Sequence, residues 1–275
     1  MAFEPHPELP VPANSASIWH YQTFTKFVSL LSRRGLYFVA ADRLEAFDPL
    51  EGSYTRANLQ IDQTSFEQLS QEMRAKLGIS DPVKFKSRDQ LRAQVKNALR
   101  QTFVNSWHVG EHESAAMWKI YATEDAGIAI RSTVGRLKRS LDTYIDYPVT
   151  ISSVGYINYE TDIIPENYLL HPMFFKRKSY EYENELRALV STGADTSSGS
   201  GESGKRQTTL DDRKKVDTID VRGLYATIDI DALIEAVYVS PKAPLWLVEL
   251  VRSVSEKFRL DAPTIQSDLS AETLY

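Results

Sequence analysis

MWKIYATEDAGIAI, residues 117–130, is the stretch from which the fold is read. Met117, Trp118 and Tyr121 stand at helical spacing, a polar turn follows, and Ile128 to Ile130 is a short apolar run. This is a helix handing over to a buried strand, with Gly127 expected to supply a left-handed exit. Two outlying stretches belong with it, FDPLEG (47–52) and YENELR (182–187). In them Asp48, Glu51, Glu183, Glu185 and Arg187 sit beside apolar runs, where charge is costly unless it is paired or used.

Composition bounds the rest. A chain of 275 residues, 42% hydrophobic and 25% charged, can bury a full core as one large domain or as one domain with an inserted subdomain. No run approaches the length of a membrane span. The N-terminal MAFEPHPELPVPANSAS is Pro-rich and carries no basic-then-apolar signal pattern, so we expect no membrane partner and a cytoplasmic location. The absence of cysteine excludes disulfides, thiolate zinc sites and a cysteine nucleophile. A net charge of -5 argues against broad sequence-independent nucleic-acid binding and leaves room for a local basic patch.

Along the chain, residues 1–17 read as a flexible or surface-laid arm, followed by a single α+β domain over 18–275. TFTKFVSLLSRR (23–34) carries a helical stripe, with Gly35 read as its cap and Leu36–Ala40 as a strand. Stripes such as Phe66, Leu69, Met73, Leu77 and then Leu91, Val95, Leu99, Phe103 predict a helical subdomain over about 64–105. From Gly127 the texture turns β-branched and aromatic, with strands expected at 128–130, 149–159, 186–191, 225–230 and 237–240. The polar low-complexity stretch at about 192–215 reads as a mobile loop, either a gate or an inert insertion. A short helix is expected at 231–236 and an amphipathic one at 245–258. The fold class is therefore α+β, with a mixed or antiparallel central sheet, a helical insertion and a C-terminal helix.

Each candidate residue has a plain structural alternative. His20, in IWHYQTF, can donate to a sugar hydroxyl or phosphate, or be a strand-end histidine with one backbone partner. Asp48 and Glu51 suit acid chemistry, or only close a turn. If YENELR is a strand, Glu183, Glu185 and Arg187 share one face, and two carboxylates near a guanidinium, with Lys176 and Lys178 close by, suit acid/base work. The alternative is a solvated edge strand with an internal salt bridge. Met117 and Trp118 read first as core, and Tyr121 as one wall of a slot for a flat heterocycle. His108 and His112 are two histidines at i, i+4, but Gly110 between them weakens the helix that such metal spacing needs, so no metal site is expected.

WHYQTF with its helix and GLYF, then AFDPLEG, AAMWKIYATEDAGIAI and FKRKSYEYENELRAL, resemble a widespread bacterial domain family of unassigned function. Its usual form has a Tyr-containing opening strand, an Asn-Asp-Pro-Phe-Glu turn, a Met-Trp-x-x-Tyr-Ala core and a closing Tyr-Glu-x-Glu-x-Arg strand. The likeness spans about residues 18 to 270, with Phe47 standing where Asn is usual. In layout the chain is also similar, more loosely, to ADP-ribosyltransferases of the His-Tyr-Glu kind, which bind NAD in a cleft between two small sheets. That similarity implies His20 as ribose anchor, with Tyr21 beside it, Tyr121 as the stacking ring with Trp118 behind it, and Glu183 or Glu185 as the catalytic carboxylate. It implies NAD as substrate and a nucleic acid or protein as acceptor, in a toxin or phage-defence effector. Two other readings are kept: a metal-dependent nuclease in which Asp48, Glu51, Glu183 and Glu185 hold magnesium, and a non-catalytic sensor that binds a ligand or partner. Motifs of P-loop NTPases, α/β-hydrolases and simple Rossmann dehydrogenases are absent from the sequence.

Overall fold

A mixed, largely antiparallel sheet of nine strands organises the chain, so the α+β expectation holds. The computed structural model describes residues 3, 6–86, 88–122, 126–144, 146–193 and 223–270. Its strands are β1 (Ser17–Thr23), β2 (Gly35–Ala40), β3 (Thr102–Val109), β4 (Gly127–Thr133), β5 (Val149–Ser153), β8 (Glu185–Ser191), β9 (Gly223–Thr227), β10 (Ala236–Val239) and β11 (Thr264–Gln266), while β6 (Gly155–Ile157) and β7 (Phe175–Arg177) form a small parallel pair apart. Among the described residues no helix is long and apolar enough to cross a membrane.

One face of the sheet carries the main core. Helix α1 (Phe24–Arg33) starts on Thr23, whose hydroxyl accepts from Lys26 N, and buries Phe27, Leu30 and Leu31 at i, i+3, i+4. Helices α7 (Val134–Ser140) and α9 (Leu245–Lys257) add Val134, Leu137, Leu247, Val248 and Val251 against Ile18, Ile128, Ile130, Leu186, Ala188 and Val190 of the strands. Burying each such side chain is worth about 1.5–3 kcal/mol relative to exposure. Two glycine readings are corrected. Arg34 (φ 47°), not Gly35, takes the left-handed cap position, and Gly127 simply opens β4, with Gly52 and Gly78 the glycines of positive φ among the described residues.

The second face carries the helical layer. Its helices are α2 (Arg56–Gln60), α3 (Gln71–Leu77), α4 (Pro82–Lys86) and α5 (Arg88–Leu99), so the helical region begins and ends earlier than expected. The stripe through Leu99 does not continue to Phe103, because TFVNSWHV is a β-branched and aromatic run that pairs along β8. On this face lie two separate apolar patches. One gathers Val95, Leu99, Val104, Leu170, Met173, Phe174 and Leu189; the other gathers Trp19, Tyr21, Met117, Trp118 and Ala129, with α6 (Ala115–Tyr121) as its lid.

Residues 6–16, expected as a flexible or surface-laid arm, lie against the domain. Pro10 O accepts from Ser153 N (2.9 Å) and Ser152 Oγ (3.0 Å), Asn14 O accepts from Gly135 N (2.9 Å), and Leu9 is buried in the first of those patches. Prolines have no N–H to leave unpaired, but their carbonyls still bond. The loop expected at 192–215 falls, beyond Gly193, outside the described residues. The arm also meets His171, which is buried against His6, Tyr168 and Phe175, with Nδ1 donating to Pro165 O and Glu8 3.6 Å away. Burial outweighs Glu8 and the Pro165 carbonyl and lowers its pKa from 6.5 to about 4. A depressed folded pKa gives stability that is present above pH 6.5 and is lost as pH falls toward about 4. Urea denaturation across that window is therefore expected to show a loss that His171→Gln flattens; an unchanged slope in the variant refutes it.

Candidate functional site

Between the two patches of the second face lies a buried cluster of charge. Its anchor is Arg187 on β8, 1% exposed. Strand alternation sends Leu186, Ala188 and Val190 into the main core and turns Glu185, Arg187 and Leu189 to the second face. The Arg187 guanidinium donates to Glu185 from Nε (2.8 Å) and Nη2 (3.0 Å), to Glu51 from Nη2 (2.5 Å), and to Met173 O from Nη1 (2.5 Å). Lys176, pointing inward from β7, lies 2.6 Å from Glu183, 2.8 Å from Glu185 and 3.8 Å from Glu51.

The FDPLEG turn delivers Glu51 to this cluster. Asp48 Oδ1 caps the turn by accepting from Leu50 N (3.0 Å), and the carboxylate takes a two-point bond from Arg177 (2.7 and 3.1 Å). Gly52 has φ +73°, and an added Cβ would lie 3.1 Å from Met173 Sδ and 3.2 Å from Leu99 Cδ2, so the turn needs glycine. Counting Asp48, Glu51, Glu183 and Glu185 against Lys176, Arg177 and Arg187 leaves one negative charge, with every carboxylate held by at least one cation.

YENELR is not one continuous strand. Lys178–Glu183 is a 3-10 turn, Asn184 takes a left-handed conformation (φ 39°), and β8 starts at Glu185. Asparagine tolerates that conformation through short-range polar bonds, and here its side chain donates to Val109 O (2.7 Å). The solvated edge-strand alternative also fails, because β8 is flanked by β3 and β5 and its charges are buried. The two glutamates have different partners. Both oxygens of Glu185 are held by Arg187, with Lys176 on Oε2, whereas Glu183 accepts from Tyr121 OH (2.6 Å) and Lys176 (2.6 Å). Burial raises the Glu185 pKa, but Arg187 and Lys176 overcome it and bring it down from 4.5 to about 2. Burial disfavours the Lys176 ammonium, yet Glu185, Glu51 and Glu183 hold it above its ordinary range. Burial and the bond to Glu183 push the Tyr121 phenol up, so it stays a donor.

The proposed ligand-binding residues do not form one set. Tyr121, 42% exposed, is joined to Glu183 and open to solvent. Trp118 is buried and donates to Glu113, and Tyr21 is buried with its hydroxyl accepting from Ser114 N, so both are packing residues. His20 leaves β1 on the face opposite Tyr21 and does not touch Tyr121 or Glu185. It is found instead where the sheet parts. β8 occupies one edge of β3 from Thr102 to His108, and the other edge pairs with β1 only at His108 and Val109 and with β2 only at Phe103 and Val104. In the gap, backbone groups lose their ladder partners and side chains replace them. His20 Nδ1–H donates to Ser106 O (2.9 Å), Asn105 Nδ2 to Tyr37 O (3.0 Å). Burial, working against the Ser106 bond, lowers the His20 pKa to about 4, so the ring is neutral.

Ser106, in the middle of the central strand β3, is exposed while Asn105 and Trp107 beside it are buried. An exposed position on an interior strand shows that the second face of the sheet is uncovered at this point. His108, next along the same face, donates to Glu183 O (2.6 Å), so the uncovered point adjoins the Glu183–Tyr121 pair. Sequence reading treated His108 only as a metal ligand and passed over Ser106 altogether. The signal for Ser106 was a polar residue inside an apolar strand; the fork itself is a tertiary feature. A separate shallow hollow, lined by Arg34, Thr143, Thr227, Asp229 and Asp231, gathers none of these groups. Among the described residues no group of three or more histidines and carboxylates is arranged to hold a metal ion.

Comparison of the chain with family models, with curated proteins and with solved structures found no match. The function is therefore argued from geometry.

Removing one partner of a fully buried pair costs about 3–5 kcal/mol. Glu185→Gln is accordingly expected to lower the unfolding free energy by that amount, and Glu183→Gln, which keeps an acceptor for Tyr121, by about 1–3 kcal/mol. With its folded pKa depressed, Glu185 contributes stability that is present above pH 4.5 and lost as pH falls through about 2. Equal losses in the two variants, measured by denaturant titration, contradict the division of roles.

Proposed function

We propose that the chain is an ADP-ribosyltransferase-like enzyme that consumes NAD, with its cleft at the fork of the sheet. The observation that carries the reading is the parting of β1 and β2 from one edge of β3, with Ser106 exposed at the gap on the face that holds the Glu183–Tyr121 pair; His20 leaves on the opposite face and reaches the gap only through its bond to Ser106 O. The ADP-ribosyltransferases that the layout resembles take a bent dinucleotide in a cleft between two small sheets; in this reading the parting of one nine-stranded sheet supplies that place. Glu183, rather than Glu185, is the working carboxylate in this reading: both are buried and bonded on both oxygens, but one partner of Glu183 is the solvent-open Tyr121, whereas Glu185 is held by the buried Arg187 and Lys176.

Tyr121 supplies a ring face at the groove, and Glu183 accepts a ribose hydroxyl and offsets positive charge on the sugar as the bond to nicotinamide breaks. The electron pair of that bond leaves with the pyridinium nitrogen, which becomes neutral, and the acceptor's nucleophile bonds to the sugar carbon and gives its proton to the carboxylate or solvent. Asp48, Glu51 and Arg187 do not touch substrate in this scheme; they hold the glutamates in place. A cytoplasmic toxin or phage-defence effector acting on nucleic acid or protein fits this chemistry. The magnesium-nuclease reading loses its motive, since Glu51, Glu183 and Glu185 converge on the Lys176 ammonium, which stands where a metal cation would, and Asp48 faces Arg177 instead. A non-catalytic binding module is the second reading, favoured by one observation: the paired, buried cluster also suffices as a seam between sheet and helical layer.

Nicotinamide release from NAD by the purified chain tests the choice. Glu183→Gln is expected to cut turnover by about 100-fold or more while the fold is retained. Turnover indifferent to Glu183→Gln and to Glu185→Gln sinks the enzymatic reading, and inertness toward NAD in the native chain leaves the binding module.

A further inference from the structure

We propose that residues 6–16 form a strap that leaves the domain as one unit, with His171 the keyed point through which acid releases it. The proposal needs no substrate and stands apart from the enzymatic reading.

The strap crosses three parts of the fold. Glu8 accepts from Asn167 Nδ2 on both oxygens (2.7 and 2.8 Å), and Leu9 is buried in the apolar cluster of Leu99, Leu170 and Met173. Pro10 O accepts from Ser152 and Ser153 of β5, and Asn14 accepts from two groups of α7, Gly135 N at its carbonyl and Lys138 Nζ at Oδ1 (3.0 Å). None of residues 6–16 belongs to a strand, and Pro7, Pro10 and Pro12 have no N–H with which to join one. A segment held at separate points, by carbonyls, side chains and one buried leucine, opens at far lower free energy than a strand paired along both edges. Its hold reaches the candidate site, because Leu9 shares its cluster with Met173, whose carbonyl accepts from Arg187.

The key is the group His6, Glu8 and His171. His171 is 2% exposed, its ring edge-on to His6 at 6.0 Å and to Tyr168 at 5.3 Å, with the Glu8 carboxylate 3.6 Å from Nε2. His6 in turn lies against Tyr168 at 4.3 Å. Glu8 is half-exposed, so solvent weakens what it offers a cation. The other charges of the surrounding elements are turned elsewhere: Glu166 to Arg92 and Arg88, Lys176 to Glu183 and Glu185, and Arg177 to Asp48. A proton on His171 therefore meets a second imidazole and a screened carboxylate in a space that excludes water. Lifting the strap takes His6 and Glu8 away and wets the ring. Burial has already lowered the docked pKa from 6.5 to about 4, so attachment is strongest above pH 6.5 and weakens as pH falls toward about 4.

The test is hydrogen exchange followed by NMR on the native chain at pH 7 and pH 4, each rate divided by that of the unstructured peptide at the same pH. The reporters are the amides of Ser153 and Gly135, whose acceptors are strap carbonyls, and the control is Ala188 of β8, paired on both edges. Protection of both reporters is expected to fall together by at least about tenfold at pH 4, with Ala188 still protected. His171→Gln, which removes the titrating ring, is expected to hold that fall below about threefold. At pH 7, Leu9→Ala is expected to lower both reporters together by about tenfold or more and to leave Ala188 unchanged. Reporters that keep their protection at pH 4, lose it along with Ala188, or fall equally in His171→Gln overturn the acid release. A response of one reporter without the other to Leu9→Ala overturns the single strap. None of these measurements involves NAD, so the two proposals fail separately.

Discussion

The guanidinium of Arg187, lodged between sheet and helical layer, is the interaction on which the rest of the structure depends. A buried charge without partners is prohibitively costly, and here the partners come from separate parts of the chain: Glu185 on the same strand, Glu51 from the FDPLEG turn and the carbonyl of Met173. Satisfying one side chain therefore fixes where the turn at 47–52 and the segment around 171–174 meet the sheet. Lys176 then closes the remaining carboxylates into the same network. Apolar packing alone would leave the position of the helical layer on the sheet loosely set; the ion network fixes its register.

The same network divides labour between two glutamates that are neighbours in sequence. Glu185 is spent on Arg187, and Glu183, released from the strand by the left-handed Asn184, turns toward Tyr121 and the surface. Both carboxylates are buried and held on both oxygens, but Glu183 is held by one phenol and one ammonium, without the two-point guanidinium grip that fixes Glu185. The fork between β1 and β2 leaves one edge of β3 without a partner strand at Asn105 to Trp107. Its cost in lost ladder bonds is met by His20 and Asn105, whose side chains bond the stranded carbonyls.

Much of the fold was legible in the residues. Thr23 capping a stripe of Phe27, Leu30 and Leu31, the apolar run after Gly127, and the amphipathic helix entered at Pro244 all carry periodicities that local physics reads directly. β3 was missed because Phe103 extends a helical stripe by one more step, and periodicity has no means of seeing that Thr102 to His108 pairs with β8. The charged residues of the candidate site were also legible, as charges placed where solvation is incomplete. Their grouping was read imperfectly: His20 and Tyr21 are adjacent in sequence, and adjacency on a strand sends side chains to opposite faces.

By itself the sequence determined an α+β chain without cysteine chemistry, the positions of its main helices and several of its strands, and the identity of the charges that could not be left unpaired. Those follow from short-range periodicity and from the price of burying an ion, both of which act within a few residues. Only the tertiary structure decided which charges meet, that Glu183 and Glu185 differ, that the sheet forks, and that Ser106 is open at its centre. These depend on pairing between strands and turns far apart in the chain, and no local pattern encodes the partner.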